Sequence, residues 1–181
     1  WAPRALQRPE YTGGIGLAGL VNLEQFVQSG GTLVAVDNAA GLIVDNFGLP
    51  VRNVVSGASG YSAPGSLVRV KVDNTQPLAS GMPPEATVFV DGGQAYDITL
   101  LDEFKKGERE VRGVVRYAES NLLASGWLTG ERTIAGKHVL IDARHGQGRV
   151  VLFGFRPDFR GQSFGTFRLL LNAVYLGAPV R

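Results

Sequence analysis

The chain of 181 residues contains no cysteine. This absence excludes disulfides, zinc–thiolate sites, iron–sulfur clusters and a cysteine nucleophile. A chain of this length buries about 70% of its unfolded surface, so one domain of ordinary size is stable without such cross-links. The missing cysteine leaves the compartment open, because exported and cytosolic proteins alike can lack it.

Charged residues are also scarce, at 19% of the chain, with 18 basic residues against 16 acidic ones. Neither half carries the dense basic field that nucleic-acid binding needs, so we expect no nucleic-acid partner. Fourteen of the basic residues are arginines and four are lysines. This excess either serves bidentate pairing with carboxylates and carbonyls or reflects a GC-rich genome.

Long apolar runs are missing as well. No run approaches the roughly 18 residues of a membrane helix, so we expect no membrane span. The sequence begins at Trp1, without a signal peptide, and we expect it to be a mature or excised piece of a longer protein. Residues 1–12 contain two prolines and no periodicity, which predicts an extended N-terminal arm. Residues 13–181 are predicted to form a single domain.

The first fifty residues alternate between helix and strand. Apolar residues at helical spacing predict a helix over 16–28 and a shorter one over 39–47. Between them, the continuous apolar run Thr32–Val36 predicts a buried parallel strand at the centre of the sheet. This order is typical of an open α/β sheet with helices on both faces.

Strands dominate the remainder. Valines alternate with basic residues over 67–72, which predicts a half-exposed strand, and further strands are predicted over 87–90 and 111–117. Residues 138–143 and 149–155 are joined by a glycine-rich turn and predict a β-hairpin.

Two segments near the end of the chain complete the prediction. Residues 122–130 fit either a strand or a helix, with Trp127 half buried. Residues 163–176 predict a closing helix. The apolar face expected for this helix comprises Phe167, Leu170, Leu171, Val174 and Tyr175.

A glycine motif, G-x-G-x-x-G at residues 14–19, matches the dinucleotide-binding fingerprint, and Asp37 lies near the position of a ribose-binding acid. The fingerprint requires a buried strand directly before its first glycine, and the sequence there does not form one. The favoured interpretation is that these glycines give the chain a flexible entry into the helix predicted over 16–28 and let that helix pack tightly.

Catalytic and metal-binding motifs are lacking. His138 and His145 are the only histidines, and their odd spacing places them on opposite faces of a strand. We therefore expect no metal site and no cofactor. The strand-to-helix elbow is Asp37-Asn38-Ala39, where Asn38 or Ala39 is predicted at the tip and neither is a nucleophile.

A cluster of polar residues follows the last predicted strand. Arg156, Asp158, Arg160 and Gln162 stand where open α/β sheets bind ligands, at the carboxyl end of a buried strand. They either contact a ligand or partner, or fasten the strand to the final helix through an ion-pair network.

Five stretches together resemble a known family. They are LVAVD at 33–37, PLASGMP at 77–83, SGWLTGE at 125–131, GFRPDFRGQ at 154–162 and GTFRLLLNA at 165–173. They are similar to the C-terminal domain of bacterial exported zinc carboxypeptidase-like proteins. The resemblance implies a class I glutamine amidotransferase-like fold, which is a flavodoxin-like open sheet. We expect that sheet to be mainly parallel, with a C-terminal antiparallel hairpin.

The resemblance also implies that catalysis has been lost. Active amidotransferases carry a cysteine at the elbow and a His-Pro-Glu after a late strand, whereas this chain has Asp37-Asn38-Ala39 and Arg156-Pro157-Asp158. Arginine cannot act as a base near neutral pH. We therefore expect no catalytic residues. The prediction is a vestigial cleft at which Asp37, Asn38 and the polar residues after the last strand meet.

The function implied is that of a non-catalytic accessory domain of a larger exported protein. Such a domain packs on or gates a peptidase domain, or binds a ligand at the vestigial cleft. Its compartment is then periplasmic or extracellular. The alternative is a self-associating structural subunit released from a precursor. An enzyme of unrecognised chemistry remains the third possibility.

Overall fold

The computed structural model describes residues 13–99, 110–161 and 163–177, so the predicted arm over 1–12 lies outside the described residues. Its helices are α1 (Gly16–Gln28), α2 (Asn38–Asn46) and α3 (Phe164–Leu176). Its strands are β1 (Thr32–Val36), β2 (Val51–Asn53), β3 (Ser66–Val72), β4 (Glu85–Val90), β5 (Tyr96–Ile98), β6 (Val111–Tyr117), β7 (Leu123–Ser125), β8 (His138–His145) and β9 (Gly148–Phe153).

The strands form one sheet in the order β1-β9-β8-β6-β3-β4, while β2, β5 and β7 pair off this path. The predicted open α/β sheet and its C-terminal hairpin, β8–β9, are confirmed. The expected parallel arrangement is wrong. Among the described strands, only β1 and β9 pair as parallel neighbours, and the other ladders are antiparallel.

The reason for this difference is visible in the connections. A parallel pair needs a crossover of a dozen or more residues, usually a helix. Between Val51 and Phe153, the described part of the chain contains only short 3₁₀ turns, such as Pro77–Ala79, and no α-helix. The alternation of valine with Arg69 and Lys71 in β3 is the pattern of an antiparallel strand with one solvated face.

Strand β1 was expected at the centre of the sheet, and this prediction is also wrong. β1 pairs with β9 on one side and with no described strand on the other. Of its five residues, only Ala35 is fully buried. An apolar run predicts that both faces of a strand are covered. It carries no information on whether both edges of the strand are hydrogen-bonded to neighbouring strands.

Two apolar cores lie on opposite faces of the sheet. Helices α1 and α2 cover one core through residues such as Val27, Ile43 and Val44. Helix α3 covers the other through Leu169 and Ala173. Helices therefore lie on both faces, as predicted. Strands β8 and β9 contribute alternate residues to both cores, which explains their almost complete burial.

The apolar face predicted for α3 is mostly incorrect. Its buried residues are Thr166, Leu169 and Ala173, whereas Val174 and Tyr175 are exposed. The helix is apolar almost all round, so periodicity alone could not select the buried side. The hydrogen bonds of Asn172 determine which side of α3 is buried. Its side-chain amide donates to the carbonyls of Leu78 and Ser80 at 3.0 Å.

Trp127 was predicted to be half buried, yet 65% of it is exposed. The ambiguous segment around it contains strand β7. The hydroxyl of buried Ser66 fixes this segment, because it donates to the carbonyl of Trp127 and accepts from its N–H. The loop is therefore held by its backbone, and the indole is left at the surface. No helix in the described ranges has the length and hydrophobicity to cross a membrane.

Candidate functional site

The elbow after β1 is strained at Asp37. This residue has φ 54° and ψ −123°, outside the regions that non-glycine residues favour. Its N–H donates to the carbonyl of Phe153 at 2.8 Å, and its own carbonyl accepts from the N–H of Ala40. Strand β9 and the first turn of α2 therefore hold the strained backbone in place. Strain of this kind concentrates at functional sites.

The prediction placed the tip of the elbow at Asn38 or Ala39, and the structure moves it back by one residue. Asp37 carries the strained backbone, while Asn38 begins α2 and is exposed. A strand run ending in Val36 does not show which of the next residues adopts a positive φ. Aspartate and asparagine both tolerate positive φ better than most residues, so residue type alone does not separate Asp37 from Asn38.

Arg156 lies directly against this elbow. Its Nε donates to Oδ2 of Asp37 at 2.7 Å, across 119 residues of sequence. The Asp37 side chain is 9% exposed and that of Arg156 is 37% exposed. The hydrogen bond to Asp37 raises the pKa of Arg156 above its usual value. The expected meeting of the residues after β1 and β9 is thus present in the structure.

The topology explains why these residues meet. Because β1 and β9 are parallel neighbours, their carboxyl ends lie at the same edge of the sheet. Strand β4 lies farther along the sheet, beyond β6 and β3, and runs in the same direction as β1 and β9. Asp91 follows the end of β4. Asp91 Oδ2 lies 3.9 Å from Nη1 of Arg156. Three strands therefore deliver two carboxylates and one guanidinium to one place.

A group of tyrosines lies beneath the elbow. The hydroxyl of Tyr117 donates to the carbonyl of Gln94 at 3.2 Å. Burial raises the pKa of Tyr61 to about 12. Burial, and then the negative charge of Asp37, raise the pKa of Tyr96. These phenols stay protonated and neutral, so they cannot serve as bases at ordinary pH.

Three buried oxygens in this region have no hydrogen-bond partner among the described residues. They are Oδ1 of Asp37 and the hydroxyls of Tyr61 and Tyr96. Buried polar atoms are normally paired, and exceptions concentrate where water or a ligand is bound. The second carboxylate oxygen of Asp37 is therefore free to accept from such a molecule.

An open cleft of about 590 Å³ lies beside the elbow. Its lining is mostly polar, and it includes Asn38, Asp45, Asn53, Tyr61, Asp91 and Gln94. The amides of Asn53 and Gln94 hydrogen-bond each other, and Asn53 Oδ1 also accepts from the N–H of Val55 at 3.2 Å. Hydrogen bonds therefore fix the side chains of Asn53 and Gln94 in this wall of the cleft.

Sequence reasoning missed Asp91, Gln94 and the three tyrosines. Asp91 follows the predicted strand 87–90 directly, and polar residues in that position line ligand sites in open sheets. That signal could have found it. The tyrosines are brought in by long-range packing, for which a single sequence offers no signal.

The predicted ion-pair network among Arg156, Asp158 and Arg160 is not formed. Arg156 turns to Asp37 instead, Asp158 is exposed, and neither Asp158 nor Arg160 has an ion pair in the described part of the chain. The guanidinium of Arg160 lies 5.1 Å from the ring centroid of Phe159. Gln162, the last residue predicted for the cleft, lies outside the described residues.

The segment after β9 is anchored to its neighbours, although not through the predicted ion pairs. Thr166 Oγ1 donates to the carbonyl of Pro157 at 2.6 Å. The ring of Phe159 stacks on Phe89 of β4 at 3.9 Å between centroids. Arg156 therefore projects from a segment anchored at both ends.

The histidines lie away from this cleft. His145 on β8 is buried against α1, where its Nε2 lies 3.0 Å from Oε1 of Glu24. His138, at the other end of β8, packs against Gly113, and burial lowers its pKa. No group of three histidine, aspartate or glutamate side chains in the described ranges is arranged to hold a metal ion.

Comparison with known proteins shows the fold. No protein family and no curated protein matches the sequence. Solved structures do match. A ThuA-like protein from Bacteroides uniformis has a TM-score of 0.50 and 16% identity, over 90% of this chain and 64% of its own. A protein described as part of a GMP synthase, from Thermoplasma acidophilum, has a TM-score of 0.54 and 14% identity, over 88% and 64%.

The chain has a class I glutamine amidotransferase-like fold. A third similar structure, β-galactosidase from Bacillus circulans, shows the same likeness over 88% of this chain but 21% of its own, at a TM-score of 0.53 and 15% identity. The chain thus spans less than two thirds of the length of each of these three proteins. At such identities the likeness establishes the arrangement of the chain and not an activity.

Proposed function

We propose that this chain is a non-catalytic amidotransferase-like domain in which an ion pair occupies the place of the catalytic pair. The observation that carries the proposal is the 2.7 Å hydrogen bond from Arg156 to Asp37 at the strained elbow. In an active amidotransferase, a thiol and an imidazole would meet at these positions. The proposal rests on that replacement.

The chemistry of the two residues supports inactivity. Transfer of an amide nitrogen through a thioester needs a thiolate nucleophile and a base that exchanges protons near neutral pH. The sequence has no cysteine. Arg156 stays protonated, and the carboxylate of Asp37 raises its pKa further. Neither histidine lies at the cleft to replace it.

We further propose that the domain serves as an accessory domain of a larger exported zinc carboxypeptidase-like protein. It would pack on or gate the peptidase domain, or bind a ligand at the cleft. The sequence stretches that resemble such proteins support this role, and the most specific stretch, residues 154–162, includes Arg156 at the elbow. The cleft is lined by carboxylates and amides, and the guanidinium of Arg156 beside it already pairs with Asp37. The cleft therefore suits a neutral polar or cationic group better than an anion.

The first expected result is the absence of glutaminase activity. We expect the purified 181-residue chain to release no ammonia from glutamine above a buffer blank, because the nucleophile and the base are both missing. An active amidotransferase assayed in parallel shows that the assay works. Ammonia release that Arg156→Met abolishes would overturn the proposal.

The accessory role needs a separate test. The gene that encodes this segment is expected to encode a zinc peptidase domain as well. Mixing that domain with the 181-residue chain should give a 1:1 complex on size-exclusion chromatography with light scattering. A gene without a peptidase domain would contradict this role and leave the inactivity of the cleft unaffected.

A further inference from the structure

Helices α1 and α2 cover only part of their face of the sheet. The core beneath them contains residues of β1, β8 and β9, but among the described residues it contains none of β3 or β4. The valines of β3 belong to the core on the other face. Alternate side chains of a strand point to opposite faces, so Arg69 and Lys71 lie on the face of α1 and α2. Polar side chains therefore line this half of the sheet.

Three basic side chains lie in one row across that half. The ladders place Lys71 of β3 opposite Arg116 of β6, and Arg116 opposite His138 of β8. Residues directly opposite each other on neighbouring strands have Cβ atoms about 5 Å apart and share a face. All three line one open cavity of about 750 Å³, together with Gly113. The row is thus a cluster of cationic groups around a single space.

The ring of His138 is oriented by Gly113. It packs on this glycine, where an added Cβ would overlap Nδ1. Nδ1 is buried and has no hydrogen-bond partner among the described residues, whereas Nε2 is not buried. Nε2 is therefore the ring nitrogen that can donate into the cavity. Burial, and then the charge of Arg116, lower the pKa of His138.

The row has little compensation from carboxylates. Like charges that face each other on neighbouring strands repel. In the described ranges, Lys71 has no ion pair, and Arg116 has one with Glu119 at 3.4 Å, where both side chains are largely in water. Two carboxylates line the cavity. Asp73 is hydrogen-bonded within its own turn, and Glu85 lies opposite Lys71 without an ion pair. An anion in the cavity would therefore meet cations that are free to bind it.

We propose that Lys71, Arg116 and His138 form a binding site for a tetrahedral oxyanion, namely a phosphate or sulfate group. The guanidinium of Arg116, at the centre of the row, donates to two oxygens of the anion. The ammonium of Lys71 and Nε2–H of His138 donate from either side. The row spans about 10 Å over three strands, so both flanking side chains reach an anion that lies over Arg116.

A tetrahedral dianion suits this arrangement better than a carboxylate. Donors approach from three strands and therefore from three directions, whereas a carboxylate is planar and carries one charge. The site is also separate from the cleft at the elbow, because no described residue lines both. The proposal therefore does not depend on the accessory role or on the lost chemistry of that cleft.

The test follows the two histidines of the 181-residue chain by NMR. Sodium phosphate and sodium sulfate are titrated separately to about 50 mM, with sodium chloride holding the ionic strength constant. The Cε1–H signal of His138 should move to saturation, with a dissociation constant on the order of 1 mM. The signal of His145, buried against α1 at the other end of β8, should not move. His138→Gln removes one signal and so assigns both.

The pH dependence of binding is a second measurement. Sulfate keeps its charge over the range in which histidine titrates, so any change in its affinity reports on the protein. A bound dianion favours the protonated ring. Saturating sulfate should therefore raise the pKa of His138, and the affinity should rise as the pH falls through that pKa. The other charged groups that act on His138 are Asp97 and Lys137, which pair with each other at 2.8 Å.

Substitutions test each member of the row. Arg116→Gln and Lys71→Gln should each weaken binding by about fivefold or more, because each removes a charge-assisted hydrogen bond. Arg116→Gln should also raise the pKa of His138 without any anion, since it removes a repelling charge. Arg144→Gln is the matched control and should leave the affinity unchanged. Arg144 is exposed and lies on the same strand, about 20 Å from His138. A thermal melt shows whether each variant is folded.

The opposite results overturn the proposal. A His138 signal that stays still, or that moves equally with chloride, excludes the site. Movement of the His145 signal as well, or equal weakening by Arg144→Gln, means that the anions bind without selecting this row. An affinity for sulfate that does not change with pH removes His138 from the site. Binding of one anion alone supports the site and identifies the group. None of these outcomes bears on the missing glutaminase activity.

Discussion

Replacing Gly148 by alanine should destabilise the domain by about 3 kcal/mol or more, because the added methyl group has no room. A Cβ at this position would overlap the carbonyl oxygens of Val27 and Gly31. Both obstacles are backbone atoms, so no side-chain rotation can relieve the overlap. For a chain of this size, such a loss lowers the melting temperature by roughly 6–12 °C.

The cost is high because several elements meet at this turn. Gln147 donates its N–H to the carbonyl of Gln28 at the end of α1, and Arg149 donates its N–H to the carbonyl of Gly31 before β1, both at 3.0 Å. Moving the turn outward would break these bonds and disturb the start of the β1–β9 ladder. The hairpin therefore holds the parallel pair whose other end carries the cleft.

Gly165→Ala is the matched control for Gly148→Ala. Gly165 lies in the first turn of α3, where an added Cβ would have no atom within 4 Å. Alanine there should be neutral or stabilise the domain by up to about 1 kcal/mol, since it reduces the backbone entropy of the unfolded chain. Thermal unfolding followed by circular dichroism measures both variants. Equal melting temperatures for the two would contradict the packing described for the turn.

The elements that the sequence predicted well are those whose patterns are local. The helix over 16–28, the strand over 32–36 and the hairpin near the end were all confirmed. Periodicity and turn residues determine such elements over a few neighbours. The prediction that residues after β1 and β9 meet was also sound, because it needed only that these two strands run parallel.

What the sequence did not predict depends on distant contacts. Whether β1 has one neighbour or two is decided by strands elsewhere in the sheet. The buried side of α3 is decided by Asn172 reaching the turn at Leu78 and Ser80. The sequence placed Arg156 near both Asp37 and Asp158, and its pairing with Asp37 depends on how the elbow turns inward. In each case, a local pattern allowed several arrangements and packing selected one.

Arg156→Met should cost about 2 kcal/mol and lower the melting temperature by roughly 4–8 °C. Methionine keeps most of the aliphatic stem but removes the guanidinium, which pairs with Asp37 and lies 5.8 Å from the ring centroid of Phe159. The carboxylate, 9% exposed, would then lack the counter-charge that Arg156 supplies. The cost stays below the 3–5 kcal/mol of a fully buried pair, because the Arg156 side chain is 37% exposed and water screens the charge.

Arg160→Met is the matched control for this loss of a guanidinium. Arg160 also places its guanidinium over the ring of Phe159, at 5.1 Å, but has no ion pair in the described ranges. Its substitution should change the stability by less than about 0.5 kcal/mol, as is usual for exposed residues. Equal losses for Arg156→Met and Arg160→Met would mean that contact with Phe159, and not the pair with Asp37, makes Arg156 stabilising.

A second substitution separates the loss of the attraction between Arg156 and Asp37 from the cost of leaving the Asp37 carboxylate buried without a counter-charge. Adding Asp37→Asn to Arg156→Met removes the buried charge while keeping a side chain of the same shape, one that tolerates positive φ. We expect this double variant to recover more than half of the stability that Arg156→Met loses, because most of that loss is the cost of an unpaired buried carboxylate. A double variant less stable than Arg156→Met would show that the Asp37 carboxylate has another partner in the cleft. The pair would then be part of a binding site, and the loss of ligand binding in Asp37→Asn alone would be the next measurement.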